Sequence, residues 1–112
     1  MTDLTPTEAD VDRTRLVETT LDLLAFDTQN PPGETDVIID YLDDHLQKAG
    51  LETARLHCAP EKPNLVAWLR GQREPDLVFQ GHVDTVPFDR EAWTVDPLGE
   101  RDGETIYGRG AT

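Results

Sequence analysis

Leu16, Val17, Leu21, Leu23 and Leu24 fall on one broad side of a 3.6-residue wheel, and Glu8, Asp12, Glu18 and Asp22 fall on the other. The pattern predicts an amphipathic helix that ends near Phe26. Thr5-Pro6-Thr7-Glu8 reads as its start, with Thr5 as N-cap, Pro6 at the first helical position and Glu8 closing a capping box. The acidic polar face argues against a membrane-surface role. Ile38, Ile39, Leu42, Leu46 and Ala49 form a second apolar stripe, opposite Asp36, Asp40, Asp43, Asp44 and Gln47. This predicts a second helix, capped by Thr35 or Asp36 and stopped by Gly50, with Lys48 complementing the dipole in the last turn and a solvated acidic face. Asn30-Pro31-Pro32-Gly33 separates the two helices as a loop. Each proline biases its predecessor toward extended backbone, and Gly33 can take a positive φ.

The remainder reads as strands and turns. Residues 51–57 alternate loosely, residues 64–69 are compact and apolar, and Ala59-Pro60-Glu61-Lys62-Pro63 breaks the chain between them. They are predicted to be antiparallel neighbours. Leu77-Val78-Phe79 is a short apolar run after an exposed turn at 71–76, which predicts a buried strand. Two short extended pieces, near 98–101 and 105–107, can pair across Asp102-Gly103 as a hairpin. The expected fold class is α/β, a mixed sheet with both N-terminal helices packed on it. The expected core comprises Val17, Leu21, Leu24, Ile38, Leu42, Leu46, Val66, Leu69, Val78 and Phe79, with Trp68 and Trp93 partly exposed. There are no internal repeats or low-complexity segments.

Charge narrows the function classes. The 112 residues hold 23 acidic and 10 basic side chains, a formal balance of −13. Phosphate binding needs a basic surface, so nucleic acid is excluded as a partner. Residues 1–44 carry twelve Asp or Glu against two Arg, and residues 45–112 carry eleven against eight Lys or Arg. The excess therefore belongs to the N-terminal segments. Together with scarce lysine, it fits either a halophilic protein of a high-salt cytoplasm or an ordinary acidic one. The single Cys58 allows no intrachain disulfide, which fits a reducing compartment. The N-terminus lacks a signal-peptide pattern, and no stretch approaches transmembrane length. The expected location is cytoplasmic, with no membrane partner.

The candidate chemistry lies just after the 77–79 run, in Gly81-His82-Val83-Asp84-Thr85-Val86-Pro87. On extended chain, His82 and Asp84 can point to the same side. An imidazole can bind a metal through one nitrogen while a carboxylate holds the other N–H and fixes the tautomer. The triplet alone is also what an ordinary strand-end turn would contain. His57-Cys58 and His45 read as packing or surface residues, because neither has a partner at ligand spacing.

The triplet does not stand alone. Thr28-Gln29-Asn30-Pro31-Pro32-Gly33-Glu34 precedes it, and Trp93-Thr94-Val95-Asp96-Pro97-Leu98 and Ile106-Tyr107-Gly108-Arg109-Gly110-Ala111-Thr112 follow. This succession resembles the di-zinc amidohydrolase and exopeptidase family of aminoacylase, carboxypeptidase G, acetylornithine deacetylase and succinyl-diaminopimelate desuccinylase. The resemblance implies that residues 1–112 form the incomplete N-terminal part of a zinc-exopeptidase-like catalytic domain. It implies His82 as a metal ligand and Asp84 as a catalytic-site carboxylate accepting the other imidazole N–H. It also implies two zinc ions in complete relatives, with cobalt or manganese as substitutes, and N-acyl amino acids or small peptides as substrates. A metal-bridging aspartate, a Glu-Glu pair containing the general base, the remaining ligands and a dimerising second domain would lie beyond Thr112. The 112 residues by themselves are then expected to be inactive. The competing readings are a small acidic interaction or structural protein, the relic of a truncated gene, and a hydrolase of another metal class that joins His82 to His45 or His57.

Overall fold

The computed structural model describes residues 7, 10–71 and 77–111. Helix α1 spans Arg13–Leu24. Its N-cap is Asp12, whose carboxylate accepts from the Arg15 backbone N–H at 3.0 Å and satisfies one of the open donors of the first turn. The start expected at Thr5, Pro6 and Glu8 lies outside the described residues. Helix α2 spans Asp36–Lys48, with Thr35 at the N-cap. The Thr35 side chain makes no capping bond; its carbonyl accepts from Ile39 N at 3.0 Å instead. Gly50 follows the helix at φ +95°, the left-handed geometry that ends many helices.

Strands β1 (Glu52–His57) and β2 (Pro63–Trp68) pair antiparallel, in a register that sets Glu52 opposite Trp68 and His57 opposite Pro63. Helix α2 packs on this sheet, and its Ile38 and Ile39 are buried. Strands β3 (Glu100–Asp102) and β4 (Thr105–Tyr107) form the expected hairpin, and Gly103 supplies the positive φ in its turn.

The single mixed sheet is corrected. Among the described residues there are two separate two-stranded antiparallel sheets, and the parallel component is one isolated bridge between Gln29 and Thr85. The two helices therefore do not share a sheet as their floor. Leu24 of α1 is buried beside Gly108, which follows β4: a Cβ built at Gly108 would lie 3.0 Å from both Leu24 methyl carbons. The helices meet where Phe26 tilts on Tyr41, ring centroids 5.5 Å apart, and where the Tyr41 hydroxyl donates to Asp22 at 2.9 Å.

Residues 77–79 are also corrected. They form no strand, and Leu77, Val78 and Phe79 are 70%, 77% and 89% exposed. An apolar run becomes a buried strand only when other strands pair with its edges and other layers cover its faces. Among the described residues it has neither. Val66 in β2 and Leu69 just beyond it are also exposed. The core that does form holds Leu24, Ile38, Ile39 and the fully buried Pro97. Val17, Leu21, Leu42 and Leu46 are half-buried, as is Trp93, and Trp68 is exposed. No helix among the described residues is long and apolar enough to cross a membrane.

Candidate functional site

His82 lies in irregular chain rather than at the end of a strand. What holds this chain is the segment before α2. Thr85 N donates to Thr28 O at 3.0 Å, and Asn30 N donates to Thr85 O at 2.7 Å, closing the parallel bridge. The buried Thr28 hydroxyl donates to Val83 O at 2.7 Å, and Phe88 N donates to the Gln29 side-chain oxygen at 2.9 Å. The loop that stops α1 is therefore the frame on which residues 83–88 are mounted.

On that frame the expected pair comes together. His82 Nδ1 and Asp84 Oδ1 are 3.0 Å apart. The His82 side chain is 80% exposed and that of Asp84 is 40% exposed. A carboxylate can only accept here, so the neutral imidazole carries its hydrogen on Nδ1 and leaves the Nε2 lone pair free. Asp84 Oδ2 accepts a second bond, from the Asn30 amide at 3.2 Å. The Asn30 bond, followed by the His82 bond, holds the Asp84 carboxyl below its ordinary range, because both stabilise the charged form. Both site residues border a cleft of about 500 Å³ shared with Asn30, Lys62 and Asn64 and floored by Ile39.

Asn30 is the site residue that sequence reasoning missed. Its position in an Asn-Pro-Pro-Gly turn accounts for it as a loop residue, and its partner is 54 residues away. The other histidines stay apart from the pair. His45 stacks on Tyr41 with centroids 5.8 Å apart, and His57 ends β1 as an exposed residue beside the exposed thiol of Cys58. Neither borders the cleft. Among the described residues, no three His, Cys, Asp or Glu side chains are grouped to hold a metal ion. His82 and Asp84 thus fit one ligand position, an oriented imidazole with a free nitrogen, and not a complete donor set.

No protein-family profile matches the chain. No solved structure matches it either. Curated proteins do. The chain is 39% identical over 97 residues to the succinyl-diaminopimelate desuccinylase of Rickettsia akari, covering 80% of this chain and 25% of that protein. It is 40% identical over 75 residues to the acetylornithine deacetylase of Vibrio vulnificus, covering 65% and 19%. It is 42% identical over 78 residues to the succinyl-diaminopimelate desuccinylase of Methylobacterium radiotolerans, covering 65% and 20%. The chain thus spans a fifth to a quarter of the length of these relatives. Through them, the chain belongs to the family of succinyl-diaminopimelate desuccinylases and acetylornithine deacetylases.

Proposed function

We propose that these residues form part of the catalytic domain of a zinc-dependent hydrolase that cleaves the amide bond of N-acyl amino acids or small peptides. The observation that carries the reading is the 3.0 Å contact between His82 Nδ1 and Asp84 Oδ1 on an open cleft. It gives an imidazole whose tautomer is fixed and whose Nε2 is available. The relatives' names speak of removing a succinyl and an acetyl group from amino acids, and the substrate proposed here is of that class.

In this reading His82 holds the metal through Nε2. Asp84 keeps the hydrogen on Nδ1 and makes the imidazole a stronger donor. Bound zinc supplies Lewis-acid activation of water and of the amide carbonyl. Asp84 serves the site by orienting the ligand. Lys62 on the cleft wall provides positive charge near an anionic substrate.

A catalytic zinc site draws on about three protein ligands. On that ground the 112 residues alone are proposed to hold zinc weakly and to turn over no amide. The test compares this chain with a form extended to the length of its relatives. Both are assayed for bound zinc and for hydrolysis of N-acetyl and N-succinyl amino acids. The extended form is expected to hold zinc tightly and to be active, and the 112-residue form to bind zinc only weakly and to be inactive. Tight stoichiometric zinc in the short form would refute the idea that it carries an incomplete site. An extended form inactive on every acyl amino acid and dipeptide would refute the activity.

A further inference from the structure

Asp84 is gripped at both oxygens. Oδ1 faces His82 Nδ1 at 3.0 Å, and Oδ2 accepts from Asn30 Nδ2 at 3.2 Å. Asn30 is itself fixed. Its backbone N–H donates to Thr85 O at 2.7 Å, one residue past the carboxylate that its side chain holds. The Asn30 side chain also lies against Gly33, which sits at φ +69°. A Cβ at Gly33 would come within 3.0 Å of the Asn30 amide carbon, so the glycine leaves the space that the amide fills.

We infer that Asn30 is a positioning residue whose amide holds the Asp84 carboxylate toward His82 Nδ1, and so decides which imidazole nitrogen is left to face a metal. The inference rests on the proposal that His82 is a metal ligand. The physical argument is one of rotational freedom. A half-exposed aspartate has several side-chain wells open to it, and its carboxylate torsion is broad. With only His82 as partner, itself 80% exposed, each side chain would be held by another loose one. The Asn30 amide ties the pair to the backbone frame of residues 28–30 and 83–85. Without that donor, Asp84 turns away and the imidazole is free to take the tautomer with its hydrogen on Nε2. In that form Nε2 has no lone pair for a cation.

The test reads the tautomer directly. Nitrogen-15 NMR of the His82 ring, well above the imidazole titration range, reports the hydrogen on Nδ1 or Nε2 in the metal-free chain. A zinc titration followed at the same signals reports affinity. Asn30→Leu keeps the shape and removes the donor, and Asn30→Asp keeps the shape and only accepts. Gln29→Ala is the control, since it removes the acceptor for Phe88 N on the same loop without touching Asp84. The unsubstituted chain is expected to hold the hydrogen mainly on Nδ1. Both Asn30 variants should shift it toward Nε2 and weaken zinc binding by up to about ten-fold, the lower end of what an outer partner of a metal ligand contributes. Gln29→Ala should change neither.

An unchanged tautomer in Asn30 variants that keep their native Val83 and Thr85 amide signals would overturn the inference. So would an equal shift in Gln29→Ala, or loss of those amide signals in both Asn30 variants, which would make Asn30 a folding residue. Absence of any zinc response at His82 in the unsubstituted chain would overturn the metal-ligand proposal alone, and the tautomer would still decide the role of Asn30.

Discussion

Asp43 shows how one side chain departs from the pattern around it. Helical periodicity sets it among the acidic residues of α2, where a solvated face is the simple expectation. The structure buries it. Asp43 Oδ1 accepts from Gln47 at 2.7 Å and from the Thr53 hydroxyl, and Oδ2 accepts from Arg55 Nε at 2.8 Å, so one carboxylate joins α2 to β1. Positions 39, 43 and 46 share a helical face, so the spacing held the clue. What it could not supply was Arg55, twelve residues on. The Thr53, Gln47 and Arg55 bonds hold the Asp43 carboxyl below its ordinary range. A lowered folded-state pKa means that the native state binds fewer protons. The stability Asp43 contributes is therefore complete above the unfolded value of about 3.9 and is lost as pH falls through the folded one. Asp43→Asn should lower the thermal midpoint near pH 7, and the gap between variant and parent should close on acidification. Melts between about pH 7 and pH 2 measure that gap, and a constant difference would exclude the linkage. At the candidate site, His82→Ala in the extended form should abolish turnover, while His57→Ala, on the exposed end of β1, should leave it nearly intact; steady-state rates on an N-acyl amino acid distinguish them.

Elements with their own periodicity or turn chemistry were legible. The two apolar stripes became α1 and α2, the pair across residues 59–62 became β1 and β2, and the hairpin expected across Asp102-Gly103 formed one residue further on, with Gly103-Glu104 as its turn and Asp102 in β3. What local pattern could not specify was partnership. Residues 77–79 have strand composition and no strand partner among the described residues, and Leu24 of α1 meets Gly99 and Gly108, which flank the second hairpin. The site was legible to the same depth. The His82–Asp84 pair follows from spacing along extended chain, whereas Asn30 reaches Asp84 only through the fold. The α1 contact is testable. Gly108 has no positive φ, so Gly108→Ala tests space alone: the new methyl meets the buried Leu24 side chain. It should destabilise by about 1–3 kcal/mol, the usual cost of adding a methyl to a filled site. Leu24→Ala should cost about 2–5 kcal/mol by itself and less in the Gly108→Ala background, because the clash goes with it. Urea unfolding of the two single variants and the double would measure the coupling; strict additivity would show that the two sites do not meet.

At the scale of the whole molecule, the chain is open. Its radius of gyration is 16.5 Å, against about 13 Å for a compact domain of this length. An open chain leaves its charge in water. Asp40 and Asp43 share Arg55, and Asp44 pairs with Lys48, but residues 1–44 hold twelve acids against two Arg. Like charges on adjacent helical turns cost roughly 0.2–0.5 kcal/mol per pair, and salt screens exposed charges first. The thermal midpoint should rise from low to molar potassium chloride; an unchanged or lower midpoint would count against adaptation to a high-salt interior. The openness also bears on how the chain is made. The bonds between residues 28–30 and 83–85 join points up to 57 residues apart (Thr28 to Thr85), with α2, β1 and β2 lying between them in the sequence. At ordinary rates of synthesis, roughly 3–11 s separate the emergence of Thr28 from that of Val83. Through that interval the Asn-Pro-Pro-Gly turn has no Thr85 to receive its amide, because Thr85 has not yet emerged. The amides of Asn30 and Thr85, which bond across this junction, should therefore exchange with solvent deuterium in a single shared opening, distinct from that of β1 and β2. The junction is where a nascent chain becomes able to hold its histidine, and it is a step of assembly that neither half can begin without the other.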